Sequence, residues 1–262
     1  MSSFDQIDYA PVAAGYDRSR RIEPAIIDAL VRGLHSLEAH RVLELGAGTG
    51  NYTGALDAHG FGVTALDRSP AMLAIGAHKV RADWIVADAA RLPLRANTVD
   101  AVVGANVLHH LPDLVATLAE CRRVASSGLV FQAVVRENLA TLWYRRYFPE
   151  IDQALLPLHP TLGGLVMMLL RCGFSRVTTR KVFYSGDCDL TFEAARTRPQ
   201  LLFDAGFRAA TSGFRRLDSN GIAIGLAGLE RDIAAGKFIE VAERFDAEHA
   251  KAGDCVVLTA RR

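Results

Sequence analysis

Three closely spaced glycines and one acidic residue form the first group in this sequence that could bind a ligand. Gly46, Gly48 and Gly50 follow a short apolar stretch, and Glu44 lies just before them. Glycine has no Cβ atom, so such a run can turn sharply and let a ligand approach the backbone. Residues 51–59 have helix-compatible composition, and the first N–H groups of that helix would face the same ligand.

The spacing of the glycines indicates which ligand would fit. Dinucleotide-binding loops read G-x-G-x-x-G and place a pyrophosphate on the helix N-terminus, whereas this loop reads G-x-G-x-G. A carboxylate at Glu44 would repel a pyrophosphate and would suit a cationic group, such as the ammonium of an amino acid. Motif and ligand together suggest S-adenosylmethionine. The alternative is a glycine-rich turn that binds no ligand.

Acidic residues end two further apolar stretches. Asp67 lies about 20 residues past the first glycine, where Rossmann-like folds place the carboxylate that binds ribose hydroxyls. Asp88 follows residues 84–87 and could accept a hydrogen bond from the amino group of adenine. Ligands of open α/β sheets bind at the carboxyl ends of the strands, so both acids would face one crevice. Each could instead be a turn aspartate that only ends its strand.

Histidines are the candidates for proton transfer, because their ordinary pKa lies near neutral pH. His109 and His110 follow the apolar run 99–105 and Asn106. His110 is the candidate catalytic residue, and a packing role is the alternative for both. His159 is a weaker candidate, placed by its loop before a helix.

The apolar pattern predicts the elements that position these residues. Strands are predicted at 42–45, 63–66, 84–87, 99–105, 129–135, 174–183 and 254–260, and helices at 24–34, 51–59, 70–78, 112–124 and 161–172. Alternation of strands and helices predicts an α/β fold with a Rossmann-like, doubly wound, mostly parallel sheet. Residues 136–160 break the pattern and suggest an amphipathic helix over the carboxyl edge of the sheet. Residues 185–251 suggest helices separated by glycines near 206, 213, 221 and 236.

Composition limits the class of protein. The 262 residues suggest a single domain with an insertion, with two small domains as the alternative. The 30 basic and 29 acidic residues lack the basic excess expected of a nucleic-acid binder. Four widely spaced cysteines predict free thiols in a reducing compartment and argue against a metal site. The N-terminus has no signal pattern, and the apolar run 162–170 is too short to span a bilayer. We therefore expect a cytoplasmic protein with no membrane or nucleic-acid partner; the oligomeric state is open.

Taken together, these segments resemble the class I S-adenosylmethionine-dependent methyltransferases of the small-molecule type. The resemblance is carried by residues 44–50, 66–73, 87–93, 99–111 and 120–124. It covers residues 16–135 in motif detail and the rest mainly by strand order. It also implies an antiparallel last strand in the sheet.

The resemblance implies a cofactor-binding role for the matching residues of the first loop. Gly46 and Gly48, with Ala47 between them, would pass under the methionine part of S-adenosylmethionine. Glu44 would hold the loop and the ammonium side. Asn106 would lie near the methionine end.

The resemblance also implies which residues bind the nucleoside part of the cofactor. Asp67, followed by Arg68, would bind the ribose hydroxyls. Asp88 and the backbone of Ala89 would bind adenine.

Two segments outside the sheet are expected to cover the site. Tyr16 and Arg20 resemble the Tyr-x-x-x-Arg pattern that closes over the cofactor in this family, with Arg20 a partner for its carboxylate. The charges of this segment alone would instead indicate that it is exposed to solvent. Family members usually join the last two strands by a short hairpin, whereas this chain has a long insertion there. The sequence thus predicts a helical lid at residues 1–38 and a helical cap at residues 185–250.

The leading hypothesis for function is methyl transfer to a small metabolite, at oxygen or nitrogen. Methylation of RNA or protein, a nucleotide-sugar or NAD(P) enzyme, and a non-catalytic relative that binds S-adenosylmethionine are the alternatives. The acceptor pocket is expected to be apolar and aromatic, because aromatic residues cluster at 143–148 and an apolar helix is predicted at 165–170. Arg136, Arg145 and Arg146 could bind a carboxylate or phosphate, or could be solvated.

Overall fold

The computed structural model describes Asp17, residues 22–185, Ala195, residues 198–211 and residues 213–262. A seven-stranded sheet forms the centre of these residues, in the order β3-β2-β1-β4-β5-β7-β6. The strands are β1 (Arg41–Leu45), β2 (Gly62–Asp67), β3 (Asp83–Val86), β4 (Val99–Gly104), β5 (Ala125–Ala133), β6 (Arg176–Val182) and β7 (Cys255–Arg261).

The first five strands are parallel, and β7 runs antiparallel to both of its neighbours, β5 and β6. The order reverses between β1 and β4, which lie side by side, with β2 and β3 beyond β1. Such a reversal opens a crevice at the carboxyl ends of the strands. The predicted Rossmann-like, mostly parallel sheet with an antiparallel last strand is confirmed.

The described residues also form ten α-helices. They are α1 (Pro24–Ser36), α2 (Asn51–Ala58), α3 (Pro70–Lys79), α4 (Leu114–Val124), α5 (Arg136–Leu139), α6 (Ile151–Leu155), α7 (Leu162–Arg171), α8 (Ala205–Ala210), α9 (Ser219–Ala234) and α10 (Phe238–Ala252). Side-chain caps set several of their starts: Ser69 accepts from the Met72 N–H, Asp113 from Ala116 and Thr161 from Gly164. Such caps satisfy N–H groups that have no partner within the helix.

Apolar residues fill both faces of the sheet. One face carries the α1-side core, which includes Ile26, Leu30, Val42, Val103 and Val130. The other carries the α4-side core, which includes Leu43, Val102, Leu118, Phe131 and Leu165. Alternate residues of the central strands thus bury their side chains on opposite faces, which explains why these strands are almost continuously apolar.

Helix α1 differs from the lid predicted over residues 1–38. Ile26, Leu30 and Leu34 recur every four residues on one face of the helix, and each is at most 1% exposed. This face packs against β5 and β7 within the α1-side core. A face so completely buried belongs to the folded core; the lid over residues 1–38 stays a prediction.

The segment after β5 is not the single amphipathic helix predicted for residues 136–160. It consists of α5, the 3-10 turn Trp143–Arg146, α6 and the 3-10 turn Leu156–Leu158. Aromatic side chains at positions 143, 144, 147 and 148 are all buried, and they belong to one apolar cluster. Pro149, Pro157 and Pro160 lie in this segment, and each proline removes an N–H group that a continuous helix needs.

A third cluster, the cap core, joins this segment to the insertion between β6 and β7. Its members include Trp143, Phe148, Leu202, Phe214 and Leu229. The ring centroids of Trp143 and Phe238 are 4.8 Å apart, and those of Phe148 and Phe214 are 5.0 Å apart. The insertion is therefore held on the molecule by aromatic packing.

Hydrogen bonds close the two ends of this insertion. Asp254 accepts from the Tyr184 N–H (2.8 Å) and from Nε2 of His249 (2.8 Å). The Asn138 side chain donates to the carbonyls of Ala252 and Gly253 at 3.1 and 3.0 Å. The start of β7 is thereby fixed to both the insertion and helix α5.

The glycine breaks predicted in the insertion are only partly present. Gly236 separates α9 from α10 and has φ 72°. Gly206 and Gly221 instead lie in the first turns of α8 and α9, which begin at the capping aspartates Asp204 and Asp218. A glycine just after a strong cap does not interrupt the helix, because the cap already fixes its start.

Residues 151–171 have the hydropathy and length of a membrane span, and 22% of their apolar stretch is buried within the protein. Among the described residues it is the one such stretch. The hydrogen-bonding pattern divides it into α6, a 3-10 turn and α7, separated at His159 and Pro160. A bilayer penalises a break of this kind, because its backbone groups need partners.

We predict that Gly225→Ala will destabilise the cap core, although alanine favours helices by up to about 1 kcal/mol. A Cβ atom at this position of α9 would collide with the Phe148 ring and lie 2.6 Å from the Tyr147 carbonyl oxygen. Such overpacking costs about 1–3 kcal/mol. Gly228→Ala, one turn later, is the matched control because its Cβ would approach Tyr147 to an ordinary 3.5 Å. Thermal unfolding should show a lower Tm for Gly225→Ala alone; equal Tm values would contradict this packing.

Candidate active site

A cavity of about 300 Å³ opens at the carboxyl ends of β1, β2 and β4. This is within the size range of small-molecule sites. It brings together most of the residues that the sequence predicts for the site: Gly46, Ala47, Gly48, Asp67, Arg68, Asp88, Ala89, Asn106 and His110 line it. Glu44 does not line it, and Tyr16 and Arg20 lie outside the described residues.

The glycine loop has the left-handed backbone that its sequence favours. Gly46, Gly48 and Gly50 have φ angles of 67°, 55° and 79°. Side chains other than glycine rarely adopt such angles without strain. A Cβ at Gly48 would face the cavity with only the Met72 side chain within 3.4 Å. The loop therefore presents bare backbone to whatever occupies the cavity.

Asp67 connects this loop to the next strand. Its Oδ2 accepts from the Gly48 N–H at 2.9 Å and its Oδ1 from the Ser69 N–H at 2.8 Å. A carboxylate has about four lone-pair positions, so each oxygen can accept a second hydrogen bond. Asp67 thus fixes the loop and can still receive hydroxyl donors from the cavity.

Asp88 has a similar arrangement at the end of β3. Its Oδ1 accepts from the Ala90 N–H at 2.9 Å. The side chain is exposed, whereas the adjacent Ala89 is buried. This places an acceptor beside an apolar surface, which suits the amino edge of a purine.

Asn106 is held from β5 by a residue that the sequence analysis missed. The Asn106 N–H donates to Oε1 of Gln132 at 2.7 Å, and Asn106 has φ 54°. Gln132 is fully buried, and its Nε2 has no hydrogen-bond partner within the described part of the chain. The sequence feature that could have identified Gln132 is its position as the single amide in the otherwise apolar run 129–135.

Glu44 lies behind the loop, where it contacts helix α2. The Thr53 hydroxyl donates to its Oε2 at 2.6 Å, and only 3% of the residue is exposed. Burial raises the pKa of Glu44 from about 4.5 to about 8; the hydrogen bond from Thr53 opposes this, and the negative charge of Asp67 adds to it. Glu44 therefore holds the loop, and it is mostly uncharged at pH 7. Its role toward an ammonium group stays a prediction.

Asp17, from the predicted lid, is anchored at the rim of the cavity. Its carboxylate accepts from the Thr49 hydroxyl (2.5 Å), the Asn51 amide (3.1 Å) and the Lys79 ammonium (2.7 Å). Burial raises the pKa of Asp17, but these hydrogen bonds and the charge of Lys79 outweigh it and lower the pKa overall. Thr49 and Asn51 line the cavity, so the chain before α1 reaches the site at this point.

Three histidines form a row beside the cavity. His110 lines it, and the ring centroids of His109 and His110 are 4.0 Å apart. The ring of His159 stacks on His109 at 5.0 Å with an interplanar angle of 28°. His159 is 6% exposed, and its Nδ1 lies 3.0 Å from the Val134 carbonyl oxygen. The row thus joins the turn after β4 to the chain after β5.

The three arginines considered for anion binding have structural contacts, that of Arg146 being with the Tyr147 side chain. Arg145 bonds both carboxylate oxygens of Asp152 at 2.5 Å. Nε of Arg136 donates to the carbonyls of Leu156 and His159. The guanidinium group of Arg145 is therefore already paired with a carboxylate. The described aromatic residues of the cap core do not line the cavity.

Comparison with known proteins adds independent findings. Residues 43–131 match the family described as the methyltransferase domain. A malonyl-[acyl-carrier protein] O-methyltransferase of Methylococcus capsulatus is 31% identical over 147 residues, 52% of this chain and 53% of that protein. A demethylmenaquinone methyltransferase of Clavibacter sepedonicus is 32% identical over 126 residues, 45% of this chain and 51% of that protein. The chain thus spans about half the length of these two relatives.

The fold has a counterpart of known structure. A candidate methyltransferase from an antibiotic biosynthesis pathway of Anabaena variabilis superposes with a TM-score of 0.73 at 25% identity. The match covers 92% of this chain and 98% of that protein. The similarity of fold therefore extends well beyond residues 43–131.

We expect Glu44→Gln to change how stability depends on pH. A carboxyl group whose pKa is raised by folding stabilises the fold below its ordinary pKa of about 4.5, and this contribution is lost as the pH rises to about 8. The parent should therefore lose unfolding free energy over this range relative to Glu44→Gln, on the order of 3 kcal/mol. Urea unfolding at pH 5 and pH 8 measures this. Glu240→Gln, on the exposed face of α10, is the control, and the same slope in all three proteins would contradict a protonated Glu44.

Replacing Asp67 should weaken cofactor binding. Asp67→Ala removes a charge-assisted acceptor worth about 1.5–3 kcal/mol, which corresponds to roughly 10- to 100-fold in affinity. Calorimetry with S-adenosylhomocysteine measures the loss. Asp57→Ala, at an exposed position of α2, should bind like the parent; parent-like affinity of Asp67→Ala would exclude Asp67 as the ribose acid.

Proposed function

The chain carries a class I S-adenosylmethionine-dependent methyltransferase domain, and from this premise we propose that it methylates a small metabolite at oxygen or nitrogen. One observation carries the proposal. A single cavity joins the glycine loop, the acidic ends of β2 and β3, and the turn that holds Asn106 and His110. These are the groups that a nucleoside, a sulfonium centre and a methyl acceptor would each need.

The chemistry of the cavity fits S-adenosylmethionine. Its ribose hydroxyls and adenine amino group are hydrogen-bond donors, and Asp67 and Asp88 present carboxylate acceptors at the corresponding strand ends. The bare backbone at Gly48 leaves room for the methionine part. We propose that Arg68 and Ala89 complete the nucleoside side of this site, and that Tyr16 and Arg20 close over it.

When bound, S-adenosylmethionine supplies a methyl group that its sulfonium already activates. The protein then has to align the acceptor and exclude water. Gln132 holds the Asn106 turn at the end of β4, and His110 lines the same wall of the cavity. We propose His110 as a catalytic residue, in contact with the acceptor.

A small acceptor is favoured by charge and by the insertion. The balance of 30 basic and 29 acidic residues gives no general attraction for nucleic acid. Two relatives are named for malonyl-[acyl-carrier protein] and demethylmenaquinone. We propose that residues before α1 and the cap at 185–250 cover the acceptor, with Asp17 anchoring the first of these. A cytoplasmic location stays a prediction.

A screen of acceptors tests this proposal. Catechol, benzylamine and benzoate represent hydroxyl, amine and carboxylate acceptors, and a folded transfer RNA and casein represent macromolecules. The measurement is release of S-adenosylhomocysteine. We expect turnover among the small molecules only. Turnover confined to RNA or casein would replace the proposal with a macromolecular methyltransferase, and no turnover despite tight S-adenosylmethionine binding would indicate a non-catalytic relative.

A further inference from the structure

His159 is more firmly fixed than the other two histidines of the row. Its Nδ1 bonds the Val134 carbonyl just past the end of β5, and its ring stacks on His109. Its own carbonyl accepts from Nε of Arg136 at 2.8 Å, and the Arg136 N–H donates to the carbonyl of the next residue, Pro160, at 3.1 Å. Ring and backbone are therefore both held by the chain that follows β5.

The contact with Val134 determines which nitrogen carries the proton. A carbonyl oxygen can only accept a hydrogen bond, so Nδ1 of His159 must donate. In the neutral ring, Nε2 then carries the lone pair. Among the described residues, no hydrogen bond reaches Nε2. His159 thus has the tautomer of a base, with its basic nitrogen available.

The surroundings keep this ring neutral. Burial lowers the pKa of His159, the bond to Val134 partly opposes this, and the positive charge of Arg136 lowers it further. Two other titratable groups lie nearby: His109, which stacks on the ring, and Glu137, which accepts from the Leu162 N–H at the start of α7. The balance of these groups favours the unprotonated ring at neutral pH.

The row connects His159 to the cavity. His110 lines the cavity, and the rings of His109 and His159 follow at 4.0 and 5.0 Å. An acceptor that enters beside His110 would lie at the cavity end of this row. A base can take the proton of such an acceptor directly or through one water molecule.

From this geometry we propose that His159 is the proton acceptor of the transfer and receives the proton of a hydroxyl or amine group. The inference rests on the proposed function. The acceptor atom forms a bond to the methyl carbon as its proton passes, through one water molecule, to Nε2 of His159. The carbon–sulfur bond breaks with its electron pair left on sulfur, and the proton later leaves His159 for solvent. A carboxylate acceptor, which is already ionised, needs no such base.

The first test compares His159→Gln with the parent on acceptors that differ in their need for a base. The variant should keep its affinity for S-adenosylhomocysteine, because His159 does not line the cavity. Its kcat with catechol or benzylamine should fall by about 100-fold or more, with little change in KM, whereas kcat with benzoate should stay near that of the parent. His78→Gln, on the exposed side of α3, is the control. An equal loss on all acceptors, or no loss on any, would overturn the inference.

The pH profile gives a second measure. The parent's kcat with catechol should rise with pH along an acid limb whose midpoint lies below the ordinary histidine pKa of about 6.5. His159→Gln should lack this limb. A limb that survives the substitution would assign the base to another group.

A third measure requires no acceptor and no folded variant. In a ¹⁵N–¹H correlation spectrum of the histidine-labelled parent at pH 7.5, His159 should show a protonated Nδ1 and an unprotonated Nε2. The opposite tautomer, or a charged ring, would overturn the inference. The two proposals fail differently: a parent that turns over no small acceptor contradicts the proposed function and the inference together, whereas turnover that His159→Gln retains contradicts the inference alone.

Discussion

The two hydrogen bonds that the Asp67 carboxylate accepts are the constraint on which the cofactor half of the molecule depends. They join the Gly48 N–H of the loop after β1 to the Ser69 N–H that precedes α3. The loop needs left-handed angles at its three glycines, and such a backbone needs external partners to stay in one conformation. The Asp67 carboxylate binds the Gly48 N–H, the Leu66 carbonyl accepts from the Ala47 N–H at 3.0 Å, and the pairing of β1 with β2 brings both acceptors within reach. Asp67, which we propose binds the ribose hydroxyls, therefore also fixes the geometry of the loop.

Strand β5 performs the corresponding task on the side where we propose that the acceptor binds. Gln132 holds the Asn106 turn on one side of the site, and the Val134 carbonyl, just past the end of the strand, holds His159 on the other. Because β5 lies between β4 and β7, it is buried and cannot shift easily. Its final residues thus fix the separation between the turn beside the cofactor and the histidine row.

The features that the sequence could predict are those determined by neighbouring residues. Strand ends at Asp67 and Asp88, the glycine loop, and helix starts at Ser69 and Thr161 follow from local chemistry. The rest required contacts between distant residues. Glu44 was expected to be a carboxylate facing a ligand, but its burial against Thr53 is visible only once β1 and α2 are packed. Residues 136–160 were expected to form a helix, because nothing local shows that their aromatic side chains are covered by residues 199–229.

The three apolar clusters also bear on how proteins of this architecture diversify. Among the described residues, Val134 packs against both the α1-side core and the cap core, while the cofactor loop belongs to neither the cap core nor the insertion. The sheet therefore has few contacts that a substitution, an insertion or a replacement in the segment between β6 and β7 would change. Selection could change which compound is modified while the donor site stayed intact, so the range of acceptors can evolve on a separate course from the chemistry itself.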